Sequence, residues 1–175
     1  MNLLPELPIQ HWTAYGVGSI GILIEWRAYL LTCGIAFRRW SAAGAIFWAI
    51  QYFLLNAHTA GLTMASTALR TLVSDNLASG ALKHVSAIGF VALFALLTLS
   101  SWQGLVSLLP AFAVINTTLA LFYLENRSMR MILLLSSVAW IVNDLYWQAW
   151  PALLAESVAM LLNGYTIYRL LTPES

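Results

Sequence analysis

The sequence is poor in charged residues, in cysteine and in lysine. Of its 175 residues, 9% are charged, whereas a soluble domain usually carries roughly 25%. A single cysteine, Cys33, excludes an intrachain disulfide and a cluster of thiolate metal ligands. The only lysine is Lys83, so the last predicted helix cannot carry a retinal Schiff base. These shortages exclude a soluble domain, a disulfide-stapled domain and a retinal protein.

Motifs for catalysis are also absent. The sequence contains no H-E-x-x-H pair and no G-x-S-x-G elbow, and its three histidines, His11, His58 and His84, are far apart. The net charge of +1 gives no reason to expect a nucleic-acid partner. We therefore expect a protein that is not an enzyme and that holds no metal and no cofactor.

Apolar residues are abundant instead. They make up 61% of the chain, and the mean hydropathy is +0.78, which indicates an integral membrane protein in contact with the lipid bilayer. A membrane-spanning helix needs about 20 apolar residues. The apolar runs predict seven such helices with short connections, near residues 14–36, 40–56, 59–77, 84–101, 104–124, 129–147 and 150–171.

The basic residues predict the orientation of these helices. Those near the predicted loops and the C-terminal end all fall on one side of the membrane: Arg38, Arg39, Lys83, Arg127, Arg130 and Arg169. The loops on the other side contain no Lys or Arg. Because basic loops stay in the cytoplasm, we predict an extracytoplasmic segment at 1–13 and a cytoplasmic tail at 172–175.

Two segments of the chain match without a gap at a spacing of 92 residues. Trp48–Leu69 aligns with Trp140–Leu161, with identical Trp, Ala and Leu residues at five positions. Internal repeats of this kind are common in transporters. We predict an all-α polytopic fold with two three-helix repeats, at 14–77 and 104–171, joined by a linker helix at 84–101. One linker helix gives both repeats the same orientation, so the repeats are parallel.

Several charged side chains fall within the predicted spans. Glu25 lies near the middle of the first helix, where a charge is costly and is often functional. Asp144 and Glu156 flank the turn between the last two helices, where they could share a proton or approach His58 across the repeat axis. The alternatives are structural pairing and contact with water at the membrane surface. Glu25, Asp144, Glu156 and His58 are the candidates for proton coupling.

The predicted topology, seven helices arranged as 3+1+3, resembles the SWEET sugar facilitators and the PnuC-type vitamin transporters. In SWEET proteins a Trp on helix 6 and an Asn on helix 7 line the sugar site, and the resemblance matches them to Trp147 and Asn163. The chain lacks the Pro-Gln pair of that family, and only Pro110 corresponds to its hinge prolines. The resemblance implies a transporter whose two bundles rock about the repeat axis.

The sequence also resembles the YgjV family of bacterial inner-membrane proteins. The resemblance is carried by Gln51–Arg70, QYFLLNAHTAGLTMASTALR, by the overall length and by the late Glu156. It implies a multi-pass protein of the bacterial inner membrane and leaves the activity open.

Two functions remain after these exclusions. The first is transport or facilitated diffusion of a small polar or ring-containing solute, with Glu25, Asn116, Trp147 and Asn163 lining the site. The second is a non-transporting partner subunit or a lipid-interacting protein of the inner membrane. One chain could enclose its own pathway, and the short second and third helices could equally support a homodimer.

Overall fold

The computed structural model describes residues 8–29, 34–73, 80–124 and 126–171. In this part of the chain all regular structure is helical. A 3₁₀ turn at Leu105–Ser107 precedes the fifth of seven α-helices. These helices are α1 (Ile9–Tyr29), α2 (Gly34–Leu54), α3 (His58–Val73), α4 (Gly80–Ser100), α5 (Leu108–Tyr123), α6 (Asn126–Trp147) and α7 (Trp150–Leu171).

The helices differ from the prediction mainly at their ends. Two residues expected in loops on the basic side lie within helices: Arg39 in α2 and Lys83 in α4. A helix satisfies its own backbone hydrogen bonds, so it can continue beyond the apolar stretch into polar surroundings. The first helix, predicted over 14–36, is α1 ending at Tyr29, and residues 34–36 belong to α2 instead. Residues 30–33 and 74–77 of the predicted helices lie outside the described residues, as do most of the 1–13 segment and the tail at 172–175.

Three of the described helical segments are long and apolar enough to cross a bilayer: Gly80–Ser100, Leu105–Tyr123 and Ser128–Trp147. They comprise the predicted linker helix and the first two helices of the predicted second repeat. The described part of α3 has only 16 residues. The chain is therefore all-helical with spans suited to a membrane.

The helices pack in two sequential groups. Within the first group α2 contacts α1 and α3, and within the second α6 contacts α5 and α7. The groups meet where α1 contacts α7 and where α3 contacts α5. Helix α4 contacts α3 and α5, and its buried residues are Ala87, Phe94 and Thr98. The other side chains of α4 are half-buried or exposed.

Helices α2 and α6 end in the same way, 92 residues apart. Asn56 has φ 61° and Gln148 has φ 54°, both in the left-handed region that often terminates helices. The next amide in each case bonds back to the helix, at 2.8 Å from Ala57 N to Tyr52 O and at 2.8 Å from Ala149 N to Asp144 O. Both ends therefore form the same six-residue Schellman motif.

The main apolar core lies where the two groups meet. Tyr52 on α2 stacks on Trp140 on α6, with ring centroids 5.8 Å apart and an angle of 21° between the ring planes. Trp48 is also buried in this core, together with Phe94 from α4. Offset stacking of aromatic rings adds about 0.5–1.5 kcal/mol to the burial of their area. The core therefore joins the two groups.

A glutamine outside α3 satisfies the amides at the N-terminus of that helix. Gln103 Oε1 accepts hydrogen bonds from the backbone N–H of His58, at 2.7 Å, and of Thr59, at 3.4 Å. Its Nε2 donates to the carbonyl of Asn56 at 2.6 Å. Helix-terminal amides have no partner within the helix, so Gln103 fastens the α2–α3 turn to the segment before α5.

We expect Gln103→Ala to lower the free energy of unfolding by about 1 kcal/mol, the usual cost of a lost helix cap. Chemical denaturation in detergent, followed by tryptophan fluorescence, measures this change. Ser100→Ala is the matched control, since the exposed Ser100 hydroxyl bonds only to its own helix at the Leu97 carbonyl. Equal stability of the two variants would contradict a capping role for Gln103.

Candidate functional site

A cavity of about 680 Å³ is lined by residues of α1, α5, α6 and α7. Its size lies within the range of roughly 300–1,000 Å³ that is typical of small-molecule sites. Apolar side chains form much of its wall, and Trp26 and Trp140 contribute aromatic rings. The polar residues that line it are Glu25, Thr117, Arg130, Ser136, Ser137, Glu156 and Asn163.

Glu25 reaches the cavity from α1. Its Oε2 accepts a hydrogen bond of 3.0 Å from Trp48 Nε1 on α2. Gly21, one turn earlier on α1, lies against the same indole, since a Cβ there would be 3.3 Å from Trp48 Cε2. The small residue lets α1 approach α2 closely, and the indole then fixes the position of the carboxyl group.

Glu156 reaches the same cavity from α7. Its carboxyl group is hydrogen-bonded to Ser137 on α6, and it interacts electrostatically with Glu25. Both carboxyl groups therefore have neutral hydrogen-bond donors. In the part of the chain that the structure describes, no Lys or Arg forms an ion pair with either of them. Two acidic groups without a basic partner in a largely apolar cavity are unusual and often functional.

Arg130 and Asn163 form another polar pair in the cavity wall. Arg130 NH1 donates to Asn163 Oδ1 at 3.1 Å, and Asn163 Nδ2 donates to the Arg130 carbonyl at 3.0 Å. These two hydrogen bonds fix the position of the Arg130 guanidinium, and the partner is an uncharged amide. The remaining N–H groups of a guanidinium, which has five in total, can bind a ligand.

Asp144 lies apart from the residues that line the cavity. It is only 1% exposed, and its Oδ1 accepts hydrogen bonds from the Tyr52 hydroxyl at 2.6 Å and from Asn143 Nδ2 at 3.3 Å. Asp144 and Glu156 interact electrostatically. Tyr52 and Asp144 are 92 residues apart, so each is the other's counterpart in the sequence repeat. The contact therefore joins equivalent positions of the two helix groups.

The other predicted site residues lie elsewhere. Asn116 bonds to the Phe112 carbonyl of its own helix at 2.8 Å, and its neighbour Thr117 lines the cavity instead. Trp147 packs against the core and edge-on to Tyr146. His58 is exposed and lies near Phe53. Within the described residues no ion pair joins the His58 ring to Asp144 or Glu156. Of the seven predicted site residues, the cavity brings together Glu25, Glu156 and Asn163.

Arg130, Ser137 and Trp140 were not predicted as site residues. The sequence signal for Trp140 was its identity with Trp48 at the spacing of the repeat. The signal for Ser137 and Arg130 was their spacing, since seven residues place both on one face of α6. Arg130 was interpreted only as a membrane anchor.

Another arginine, Arg70, is buried beside the cavity wall. Arg70 on α3 is 6% exposed, and its NH1 donates to Thr118 Oγ1 at 2.6 Å and to Thr117 Oγ1 at 3.4 Å. Its guanidinium also lies 5.9 Å from the centre of the Phe94 ring. Arg70 thus connects α3 to the face of α5 that carries Thr117.

Comparison with known proteins identifies the family. The family model Imp-YgjV, described as bacterial inner membrane protein, matches residues 12–173. The chain belongs to the YgjV family. It is similar to the inner membrane protein YgjV of Escherichia coli (strain K12), with 28% identity over 163 residues, which cover 91% of this chain and 85% of that protein. No solved structure matches.

Membership of the YgjV family confirms the resemblance inferred from Gln51–Arg70 and from the late Glu156. It also agrees with helices apolar enough to span a bilayer, so this is a bacterial inner membrane protein. The cavity, with Glu25, Glu156, Arg130 and Asn163 in its wall, is the candidate functional site of this family member.

Proposed function

We propose that this YgjV-family protein carries a small polar solute across the inner membrane, and that the solute binds in the cavity. The observation that supports this most is the cavity itself, because it places Glu25, Glu156, Arg130 and Asn163 around one space in a membrane protein. Charged groups inside a membrane are costly, and they usually line the path of a solute or an ion.

The proposed mechanism is alternating access between two three-helix bundles, α1–α3 and α5–α7, related by a two-fold axis along the membrane normal. A shift of 92 residues converts the α1–α7 contact into the α5–α3 contact, and both contacts occur. Tyr52 bonds to its own counterpart Asp144, as expected of residues at a two-fold axis. The matching helix ends at Asn56 and Gln148 also support two equivalent bundles.

The proposed topology follows the SWEET-like arrangement. All seven helices cross the membrane, α4 connects two parallel bundles, the N-terminus lies outside and the C-terminus lies in the cytoplasm. Rocking of the bundles about the core at Tyr52 and Trp140 would open the cavity alternately to the two sides. In this mechanism Glu25 and Glu156 are placed to couple a proton to the solute.

The first test is binding and uptake by the purified protein. A panel of sugars, nucleosides, vitamins and amino acids is screened for a rise in the melting temperature, because a ligand of the folded state stabilises it. We expect at least one member to raise the melting temperature in the wild type and to lose this effect in Asn163→Ala. The same compound should enter proteoliposomes that contain the wild-type protein.

Ser86→Ala is the control for Asn163→Ala, because the Ser86 hydroxyl bonds to the Leu82 carbonyl of its own helix and lies outside the cavity. A ligand whose effect survives in Asn163→Ala would place the binding site elsewhere. A panel without any hit, together with no uptake, would overturn the transport proposal and favour a non-transporting membrane partner.

A further inference from the structure

The cavity contains charged side chains of both signs that pair with neutral groups rather than with one another. Glu25 is bonded to Trp48, Glu156 to Ser137, and Arg130 to Asn163. No ion pair joins them in the described part of the chain. An ionisable group in an apolar space keeps its charge only with a counter-charge, and a carboxyl group without one takes up a proton. A ligand that carries both charges would supply the partner that each group lacks.

The two kinds of charge lie at different levels of the cavity. Glu156 and Asn163 are seven residues apart on α7, and Ser137 and Arg130 are seven residues apart on α6. Seven residues are two helical turns, or about 10 Å along the axis. The acidic level, at Glu156 and Ser137, is thus separated by about 10 Å from the basic level, at Arg130 and Asn163.

The wall between these levels is apolar. Leu133 lies between Arg130 and Ser137 on α6, and Ala159 lies between Glu156 and Asn163 on α7; both line the cavity. From one end to the other, the cavity therefore presents carboxyl groups, a short hydrocarbon surface and a guanidinium.

We infer that the solute is an elongated zwitterion, with an ammonium group at Glu25 and Glu156, a carboxylate at Arg130, and several methylene groups or their equivalent between them. This inference rests on the proposed function, because it names the solute class of the same cavity. An α-amino acid has its two charges on neighbouring carbons, so it cannot reach both levels. A neutral sugar would leave all three charged side chains without a counter-charge.

The test uses a series of ω-amino acids that differ only in chain length: glycine, 4-aminobutyrate, 6-aminohexanoate and 8-aminooctanoate. Binding to the full-length protein in nanodiscs is measured by calorimetry and by the melting temperature. We expect affinity to rise from glycine to an optimum at four to eight carbons. Hexylamine and hexanoate, which each lack one charge, should bind at least tenfold more weakly than 6-aminohexanoate.

Variants at both ends should weaken 6-aminohexanoate, but they should differ in their effects on the two singly charged compounds. Arg130→Gln should weaken 6-aminohexanoate at least tenfold and leave hexylamine unchanged. Glu156→Gln should weaken both of these and leave hexanoate unchanged. Arg27→Gln is the control, because Arg27 is an exposed charge on α1 that does not line the cavity. If Arg130→Gln does not fold, Glu25→Gln replaces it. This variant removes a carboxyl group at the acidic end, so it should weaken hexylamine and leave hexanoate unchanged.

The possible results of these experiments distinguish the proposed solute class from the proposed transport function. Affinities that are independent of chain length, or strongest for glycine, would overturn the elongated zwitterion. Binding of a neutral sugar or nucleoside that requires Asn163, without binding of the series, would overturn the solute class and retain transport. Binding of 6-aminohexanoate without uptake of any compound would retain the site and overturn transport. No binding of any compound would overturn both.

Discussion

Asp144→Ala is expected to lower the free energy of unfolding by about 3 kcal/mol, because it leaves the buried Tyr52 hydroxyl and the Asn143 amide without an acceptor. Each buried polar group left unsatisfied costs roughly 1–3 kcal/mol. Tyr52→Phe, which removes only one donor, should cost about 1 kcal/mol, the usual net contribution of one hydrogen bond. Denaturation of the protein in detergent gives both values.

The Tyr52–Asp144 contact can be isolated by a double-mutant cycle. The combined Tyr52→Phe and Asp144→Ala variant should lose at least about 1 kcal/mol less than the sum of the single variants, since the two residues share one interaction. Tyr146→Phe is the control, because Tyr146 lies on the same helix but is 62% exposed. Additive effects of the two substitutions would show that the contact contributes nothing to the joining of the helix groups.

The matching ends of α2 and α6 could be predicted from the sequence, because the two segments share identical residues at a constant spacing. Trp48 and Trp140 gave the register, and the helix ends at Asn56 and Gln148 have the same geometry although their side chains differ. Alignment of a repeat shows which residues are equivalent, but it does not show that they touch. The Tyr52–Asp144 contact was therefore not predicted, even though the two residues are aligned with one another in the repeat.

The cavity could be predicted only in part. Glu25, Glu156 and Asn163 stood out because charged and amide side chains are rare in this chain. Ser137 and Thr117 did not, since hydroxyl groups are common in membrane helices, where they bond to their own backbone. A two-fold repeat predicts two similar spaces, one between α1 and the second bundle and one between α5 and the first. Glu25 breaks this similarity, because it bonds to Trp48, whereas its counterpart Thr117 bonds to the Val114 carbonyl.

The number of membrane spans is harder to predict from composition than the membrane class itself. Seven apolar stretches were predicted, whereas three described segments are long and apolar enough to cross a membrane on their own. The sites discussed above explain part of the difference. Helix α1 carries Glu25 and Arg27, and α7 carries Glu156. These charged side chains lower the hydropathy of the two helices.

At Gly18, helix α1 lies against Gln51 of α2 and against Pro151 of α7, and we expect Gly18→Ala to cost about 2 kcal/mol of stability. A Cβ at this position would clash with Gln51 Oε1 and would lie 2.8 Å from Pro151 Cβ. Gln51 is fully buried, so its amide has no free space to occupy, and the proline ring on α7 is rigid. Overpacking of this kind costs about 1–3 kcal/mol.

Gly16→Ala is the matched control, because a Cβ there meets no atom within 4 Å. Alanine is the better helix former by up to about 1 kcal/mol, so Gly16→Ala should be neutral or stabilising. A second variant identifies the clash. Gln51→Ala removes the side chain that occupies the space, and the described structure gives its amide nitrogen and oxygen no hydrogen-bond partner to lose.

If the Gln51 amide causes the strain, Gly18→Ala should be less damaging in a Gln51→Ala background than in the wild type, by about 1 kcal/mol or more. An unchanged cost would assign the strain to Pro151 instead, and a neutral Gly18→Ala would show that α1 and α7 are free to separate. Because α1 carries Glu25 and α7 carries Glu156, a wider separation of these helices would also move the two carboxyl groups apart. A stable Gly18→Ala variant is therefore expected to bind the proposed solute more weakly as well.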